Sequence, residues 1–125
     1  MWRIILMVLA FSFATTPAVA IKFKCLSKIS QLCTEEKCST FSIEGSRNYT
    51  YIDTNSNTIR QCIGGTNGCE NFGVKIIETD GYIKLDFKDT FSTQMTVIKG
   101  EGKFVQTYQM YTMTITIRGE CALNP

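Results

Sequence analysis

Six cysteines and no histidine define the side chains with which this sequence could perform chemistry. Without histidine the chain has no Ser-His-Asp or Cys-His nucleophilic site, and no imidazole to bind a metal ion. The cysteines also lack the C-x-x-C spacing of a thiol oxidoreductase. Their positions favour structural disulfides, and the sequence predicts no catalytic residue, no cofactor and no metal site. The six are Cys25, Cys33, Cys38, Cys62, Cys69 and Cys121.

The pairing of these cysteines is open, because six cysteines combine in many ways. The order of the predicted strands favours one solution. Cys25 and Cys121 lie in the first and last of them, which can become neighbours when a barrel or sandwich closes. The other four then form two local pairs, Cys33–Cys38 and Cys62–Cys69. The alternative is a zinc site made of these four thiolates, but the C-x6-C spacing of the second pair is wider than in most zinc sites.

Paired carboxylates are the second candidate for chemistry. Asp86 and Asp89 lie near the end of a predicted strand, and Glu78 and Asp80 lie at the adjacent turn. Two carboxylates in one cleft hydrolyse glycosidic bonds in many enzymes. A chain this short leaves little room for a deep cleft, and acidic residues beside turns are normally solvated. A carboxylate-based hydrolase is therefore the third of our functional hypotheses.

Aromatic residues offer a possible lining for a ligand cavity. Barrels of about eight strands sometimes hold one small ligand, although side chains more often fill the interior. The sequence predicts packing for most of these aromatic side chains and keeps a small apolar cavity as the alternative. The residues concerned are Tyr49, Tyr51, Tyr82, Phe104, Tyr108 and Tyr111.

The N-terminus predicts export. Arg3 precedes a short apolar segment at residues 4–13, and the small-residue motif Ala18-Val19-Ala20 follows, as in a cleavable signal peptide. We expect residues 1–20 to be that signal peptide and residues 21–125 to form a single exported domain, periplasmic or secreted. The apolar segment is shorter than the roughly 20 residues of a membrane-spanning helix, and no second apolar run of that length follows it, so we expect no membrane span in the mature chain.

The elements that must position these residues are β-strands. Residues 111–118 (YTMTITIR) and Tyr82–Phe87 alternate between two sets of side chains, which predicts strands with one buried and one solvated face. With several weaker segments they predict an all-β fold of about eight antiparallel strands, either a small barrel or a two-sheet sandwich. The closed barrel is favoured because closure removes sheet edges. The weaker segments are residues 21–26, 40–44, 49–53, 58–63, 72–78, 94–99 and 103–108.

Turns separate these segments. Asp80-Gly81 suits a type I′ turn, because aspartate tolerates and glycine prefers positive φ, and Gly100-Glu101-Gly102 links two strands in the same way. Residues 26–37 show no clear alternation and predict a short helix or a loop. Together with residues 64–71 they are the least regular part of the domain, and we expect the contact surface there.

Several motifs resemble those of a recurrent group of bacterial proteins. The I-K-F-K-C start of the mature chain, the C-I-G-G-T-N-G-C segment and the closing I-R-G-E-C look like uncharacterised small exported cysteine-stapled β-proteins of Gram-negative, alphaproteobacterial-type bacteria. This resemblance implies no activity. A fainter similarity is to the periplasmic C-type lysozyme inhibitor barrels, whose inhibitory loop compares with residues 79–84. Gly81 and Tyr82 match that loop, but Thr79 and Asp80 replace its serine context, so no inhibitory role is carried onto these residues.

The net charge of the chain argues against one further class of function, nucleic-acid binding. A net charge of +2, with basic and acidic residues interspersed, is unlike that of a nucleic-acid-binding protein. The sequence therefore predicts an exported, non-catalytic and monomeric binding module. Its expected partner is an unknown protein or envelope component, and inhibition of a secreted enzyme is one specific form of this hypothesis. The alternative is a carrier of a small apolar ligand with an internal cavity.

Overall fold

The computed structural model of the protein describes residues 22–65, 68–88 and 92–123. The predicted signal peptide at residues 1–20 lies outside the described residues. Within them the chain forms nine β-strands and one short 3-10 helix, Glu44–Ser46, which joins the second strand to the third. The strands are β1 (Lys22–Cys33), β2 (Cys38–Ser42), β3 (Tyr49–Asp53), β4 (Thr58–Ile63), β5 (Gly68–Glu78), β6 (Tyr82–Phe87), β7 (Thr93–Ile98), β8 (Lys103–Met110) and β9 (Met113–Leu123).

One antiparallel sheet closes on itself to form the fold. Neighbouring strands follow the order β1-β3-β4-β5-β6-β7-β8-β9, and β1 also pairs with β9, so eight strands form a closed barrel. The ninth strand, β2, is added to the second half of β1. The predicted all-β class and the antiparallel barrel are confirmed, and the barrel is the correct choice over the two-sheet sandwich.

β1 extends to Cys33, so the helix or loop predicted for residues 26–37 is wrong over most of its length. The register of β1 with β9 shifts between Ser27 and Ile29, and Lys28 is the extra residue of a β-bulge. The bulge inverts the alternation, because Ser27 is buried whereas Ile29 is 43% exposed. A search for period-2 alternation therefore misses a strand whose two halves are out of phase.

The hydrophobic core fills one end of the barrel, which we call the closed end. Ile83 and Leu85 of β6 lie opposite Val97 and Met95 of β7, and all four are buried. The buried face predicted for Tyr82–Phe87 is therefore confirmed. The other buried members of the core are Cys25, Ile52, Ile59, Val74 and Phe104.

The opposite end of the barrel is open. Here β1 has left β3 and pairs with β2, so the sheet no longer surrounds the interior. Residues 113–117 of β9 lie at this level and are all half-buried instead of alternating between buried and exposed. Tyr111, predicted as an inward strand residue, lies in the preceding turn with φ 48° and is 95% exposed. The prediction for this end of the strand is wrong because the barrel offers it no closed interior.

The tight turns depart from the predicted type. Neither Asp80 nor Gly81 has a positive φ, so their turn is not type I′. Thr79 closes it instead, since its backbone N–H and its hydroxyl donate to the carbonyl oxygen of Tyr82 at 2.9 and 3.2 Å. In the turn at residues 100–102 only Gly102 has a positive φ, 61°, and its N–H donates to the carbonyl of Ile98.

Three disulfides pair the cysteines as the strand order favoured. The bonds are Cys25–Cys121, Cys33–Cys38 and Cys62–Cys69. Each joins residues directly opposite one another on neighbouring antiparallel strands. Cys25–Cys121 ties β1 to β9 at the seam that closes the barrel. All six sulfurs are bonded in pairs, which leaves no free thiolate for the zinc alternative.

Graded reduction is expected to open these disulfides in the order of their exposure. Cys38 is exposed on the β1–β2 hairpin, whereas Cys25 is completely buried in the core. Because thiol–disulfide exchange requires an attacking thiolate to reach the sulfur, Cys33–Cys38 should be reduced first and Cys25–Cys121 last. Alkylation of samples taken along a reductant series, followed by peptide mass spectrometry, measures this order. Early loss of Cys25–Cys121 would contradict it.

Candidate functional site

The open end of the barrel contains a cavity of about 750 Å³. It lies above the apolar core, and residues of β3, β4, β5, β8 and β9 contribute to its wall. Thr50, Gln61, Gln106 and Tyr108 supply its polar wall, and Phe72 and Ile117 supply much of its apolar wall. This cavity is the candidate binding site of the protein.

The cavity exists because inward positions become polar toward the open end. Along β4 the core residue Ile59 is followed two positions later by Gln61, and along β8 the core residue Phe104 is followed by Gln106 and Tyr108. Buried amides and hydroxyls require hydrogen-bond partners, so they do not pack freely as aliphatic side chains do. They bind one another across the barrel between β4 and β8, and the open end beside them remains unfilled.

A chain of side-chain hydrogen bonds joins β3 and β4 to β8 and forms part of the cavity lining. Gln61 Nε2 donates to Thr50 Oγ1 at 3.3 Å and to Gln106 Oε1 at 3.2 Å. Gln106 Nε2 in turn donates to the Tyr108 hydroxyl at 2.7 Å. Both amides are fixed by these contacts, and Gln106 is only 1% exposed. The polar wall is therefore preorganised before any ligand enters.

Tyr108 ends this chain as a hydrogen-bond acceptor, which leaves its own hydrogen without an acceptor among the described residues. A phenol can donate and accept at once, so this hydroxyl is available to an acceptor atom of a ligand. Burial raises the pKa of Tyr108 above its ordinary value, and the polar side chain of Gln61 beside it opposes the rise. The hydroxyl therefore remains a protonated donor at neutral pH.

Tyr108 is expected to ionise at higher pH than an ordinary tyrosine. Because the folded state holds this proton more tightly than the unfolded chain, the free energy of unfolding should fall as the pH rises above about 10. The tyrosinate absorbance of the wild type minus that of Tyr108→Phe isolates this titration. Tyr111→Phe, at the exposed turn, is the control. A Tyr108 contribution that titrates at or below the pKa of free tyrosine would contradict the assignment.

The apolar part of the site is aromatic and reaches the rim. Phe72 of β5 stands against Phe87 of β6, with ring centroids 5.9 Å apart and planes inclined by 49°. Ile117 of β9 lines the cavity and packs against the core, while Ile63 at the end of β4 is 70% exposed. A ligand that enters the cavity would therefore meet apolar surface beside the fixed polar wall.

The aromatic residues singled out in the sequence divide into four groups. Tyr49 and Tyr108 line the cavity, as the cavity alternative predicted. Phe104 belongs to the filled core, and Tyr82 and Tyr111 are exposed, so these three follow the packing prediction and not the cavity alternative. The remaining tyrosine, Tyr51, lines a second, smaller depression of about 510 Å³.

Gln61 and Gln106 are functional-site residues that the sequence analysis did not identify. Each occupies an inward position of a strand, where alternation predicts an apolar side chain. A polar residue at such a position is the one signal that could have revealed them. The signal becomes specific only when two strands show it at the same level of the barrel, and that level depends on the register.

The candidate carboxylates are not gathered in a cleft. Glu78 forms an ion pair with Lys99 at 2.6 Å. Asp86 occupies a register position opposite Lys75 and Gln94, and Asp80 is exposed in its turn. Asp89 lies outside the described residues, and the other three line neither of the two cavities. The described residues contain no cluster of three or more metal-binding side chains.

The comparisons with known proteins indicate no function for this chain, so the proposed function rests on the geometry of the barrel. Among the described residues no helix is long and apolar enough to cross a membrane. No protein-family model, curated protein or solved structure matches this chain.

Proposed function

We propose that this protein is a non-catalytic binding protein that takes a small, neutral, amphipathic ligand into the open end of its barrel. The observation that carries the proposal is the cavity of about 750 Å³, whose lining combines a preorganised chain of hydrogen-bonded side chains with apolar side chains. Ligand sites in proteins typically measure about 300–1,000 Å³ and combine apolar surface with a few placed polar groups. The hypothesis of a small-ligand carrier thus gains specific support from the geometry.

The chemistry of the wall indicates the class of ligand. Tyr108 offers a hydrogen to an acceptor such as a carbonyl, ether or hydroxyl oxygen, while Phe72 and Ile117 offer contact to a ring or a short chain. Among the described lining residues, Glu70 carries the one charged side chain. Its carboxylate disfavours an anionic ligand, so a neutral molecule with an acceptor atom fits best.

A fluorescent probe of matching chemistry tests the proposal. Prodan, a neutral naphthalene with one carbonyl acceptor, should bind the oxidised protein saturably with a blue-shifted emission. Tyr108→Phe should weaken its binding about fivefold, because one hydrogen bond contributes about 1 kcal/mol. Tyr111→Phe should leave the affinity unchanged. The anionic probe anilinonaphthalene sulfonate should bind more weakly than prodan.

Two results would count against the proposal. One is the absence of saturable prodan binding, and the other is binding that Tyr108→Phe and Tyr111→Phe affect equally. Circular dichroism of each variant establishes that the fold is retained, so that a loss of binding is not caused by unfolding.

Recognition of a protein partner is the second candidate function, and one observation favours it. Three large apolar side chains are exposed at the open end, namely Phe41 at 53%, Ile63 at 70% and Tyr111 at 95%. Exposed aromatic and aliphatic anchors are typical of protein interfaces. Residues 26–33 of the expected segment 26–37, and residues 68–71 of the expected segment 64–71, belong to strands, so the contact surface proposed here is this rim instead of those two segments.

Affinity capture from envelope and host extracts tests the second candidate. The oxidised protein is compared with a variant in which these three rim residues are replaced by serine. A stoichiometric partner that the variant loses supports the rim as an interface. A partner retained by the variant, or none at all, removes this candidate and leaves ligand binding alone.

We propose further that the protein is exported from the cytoplasm. Three disulfides are compatible with an oxidising, extracellular environment, where such bonds form and persist. The predicted signal peptide at residues 1–20 would deliver the chain there. Fractionation of cells that express the full chain should recover a processed, oxidised protein outside the cytoplasm, and a reduced cytoplasmic product would contradict export.

A further inference from the structure

We propose that a second copy of this chain pairs with the free edge of β2, forming a weak antiparallel dimer centred on Thr40. This inference replaces the monomer expected from the sequence and does not depend on the proposed ligand site. It rests on the hydrogen-bonding phase of β2, on the residue types along its edge and on its position outside the closed barrel.

The hydrogen-bonding phase of β2 follows from the two bonds that flank it. Ile43 donates its N–H to Lys28, and Thr34 donates its N–H to Lys37, at 2.8 and 2.9 Å. Antiparallel pairs alternate between bonded and non-bonded positions, so Ser39 and Phe41 bond to β1. The residues that alternate with Ser39 and Phe41 point their backbone N–H and C=O groups away from β1. Those residues are Cys38, Thr40 and Ser42, and among the described residues β2 has no strand on that side.

This edge lacks the charged residues and the proline that usually prevent strand pairing. Edge strands are commonly protected by lysine, proline or a bulge, and β2 (CSTFS) carries no charge and no proline. It is also held rigidly, because Cys33–Cys38 clamps one end of its hairpin with β1. Phe41, on the strand itself, is 53% exposed. An uncharged, preformed edge with an exposed aromatic residue is a template for another strand.

A second copy fits this edge through a two-fold axis at Thr40. Antiparallel pairing would place Thr40 opposite Thr40 of the second copy, and Cys38 opposite Ser42 of the second copy. The three outward-pointing residues are thereby all paired. Phe41 would lie diagonally across from Phe41 of the second copy, at a distance that aromatic side chains bridge in sheets. The same register would place Glu36 opposite Glu44 of the second copy just outside the paired segment, and the repulsion of these like charges weakens the dimer.

The expected dimer is weak. Stable interfaces bury at least about 1,200 Å² in total, and a five-residue edge supplies less than that. The association should therefore depend on concentration, with a dissociation constant of about 0.1–1 mM. This expectation sets the range over which the experiment must be performed.

Sedimentation equilibrium combined with amide hydrogen exchange tests the proposal on the oxidised protein recovered after export of the full chain. The mass should rise toward that of a dimer between about 10 µM and 1 mM. Over the same range the amides of Cys38, Thr40 and Ser42 should become more protected. The exchange measurement identifies the interface, so association through another surface would not be mistaken for it.

Thr40→Lys and Thr116→Lys form a matched pair of variants. Thr40, Gln31 and Thr116 lie in one register row, so both substitutions add a lysine to that row. Only Thr40→Lys places two like charges opposite each other at the axis, and it should weaken dimerisation at least tenfold. Thr40→Pro removes an outward N–H, which an edge strand tolerates, and should also abolish the dimer. A chain that stays monomeric at 1 mM, or a dimer that Thr40→Lys leaves intact, overturns the proposal.

Discussion

Replacing Gly119 with alanine is expected to destabilise the protein by about 3 kcal/mol, toward the upper end of the cost of overpacking a core. Gly119 of β9 lies opposite Ser27 of β1 and Phe104 of β8. A Cβ atom added there would overlap the carbonyl oxygen of Leu26, and it would lie 2.9 Å from the Leu26 carbonyl carbon and 2.6 Å from a ring carbon of Phe104. The Leu26 backbone cannot yield easily, because β1 pairs with β3 on one edge and with β9 on the other.

Gly81→Ala is the matched control for this prediction. Gly81 lies in a turn without positive φ, and no atom would lie within 4 Å of an added Cβ. We expect that substitution to change the free energy of unfolding by less than about 1 kcal/mol. Urea denaturation followed by circular dichroism compares the two. Equal midpoints for Gly119→Ala and the wild type would mean that β1 and β9 do not approach so closely at the seam.

The need for glycine at position 119 also shows what the sequence could not predict. The strands β3 and β6 could be predicted from local alternation, because buried and more exposed residues alternate along each of them. The bulge at Lys28 could not, since it arises where β1 exchanges its partner β3 for β2. The close approach at Gly119 lies beside that exchange, opposite Ser27. The local sequence pattern does not indicate this change of strand partner.

The candidate site was less predictable than the fold. Tyrosine content drew attention to a cavity, but only Tyr49 and Tyr108 of the aromatic residues considered line the main one. The decisive residues are Gln61 and Gln106, which belong to strands far apart in sequence and meet only because the barrel closes. Their polarity is visible in the sequence, whereas their contact depends on the register of all the strands between them. A correct prediction of the site therefore requires the long-range register of the strands, whereas a correct prediction of the fold class does not.

Removal of the Cys25–Cys121 disulfide by the double substitution Cys25→Ala and Cys121→Ala is expected to cost about 4–5 kcal/mol. The bond spans a sequence separation of 96 residues, and long loops lose the most unfolded-state entropy when they are cross-linked. It also sits at the β1–β9 seam, where Cys25 is fully buried. Small domains are marginally stable, with about 5–15 kcal/mol in total, so this change should leave the barrel close to unfolding.

The double substitution Cys33→Ala and Cys38→Ala is the control, because it removes a disulfide of the same cross-strand type that closes a loop of sequence separation 5. The same entropy argument gives a cost of about 2 kcal/mol for it. Denaturant titration of both variants should therefore show the larger loss for Cys25–Cys121. If the two losses were equal, loop length would not determine the stabilisation, and local packing around each bond would have to explain both. A larger loss for Cys25–Cys121, with hydrogen exchange at β1 and β9 increased first, would establish that the seam between first and last strands limits the stability of the barrel.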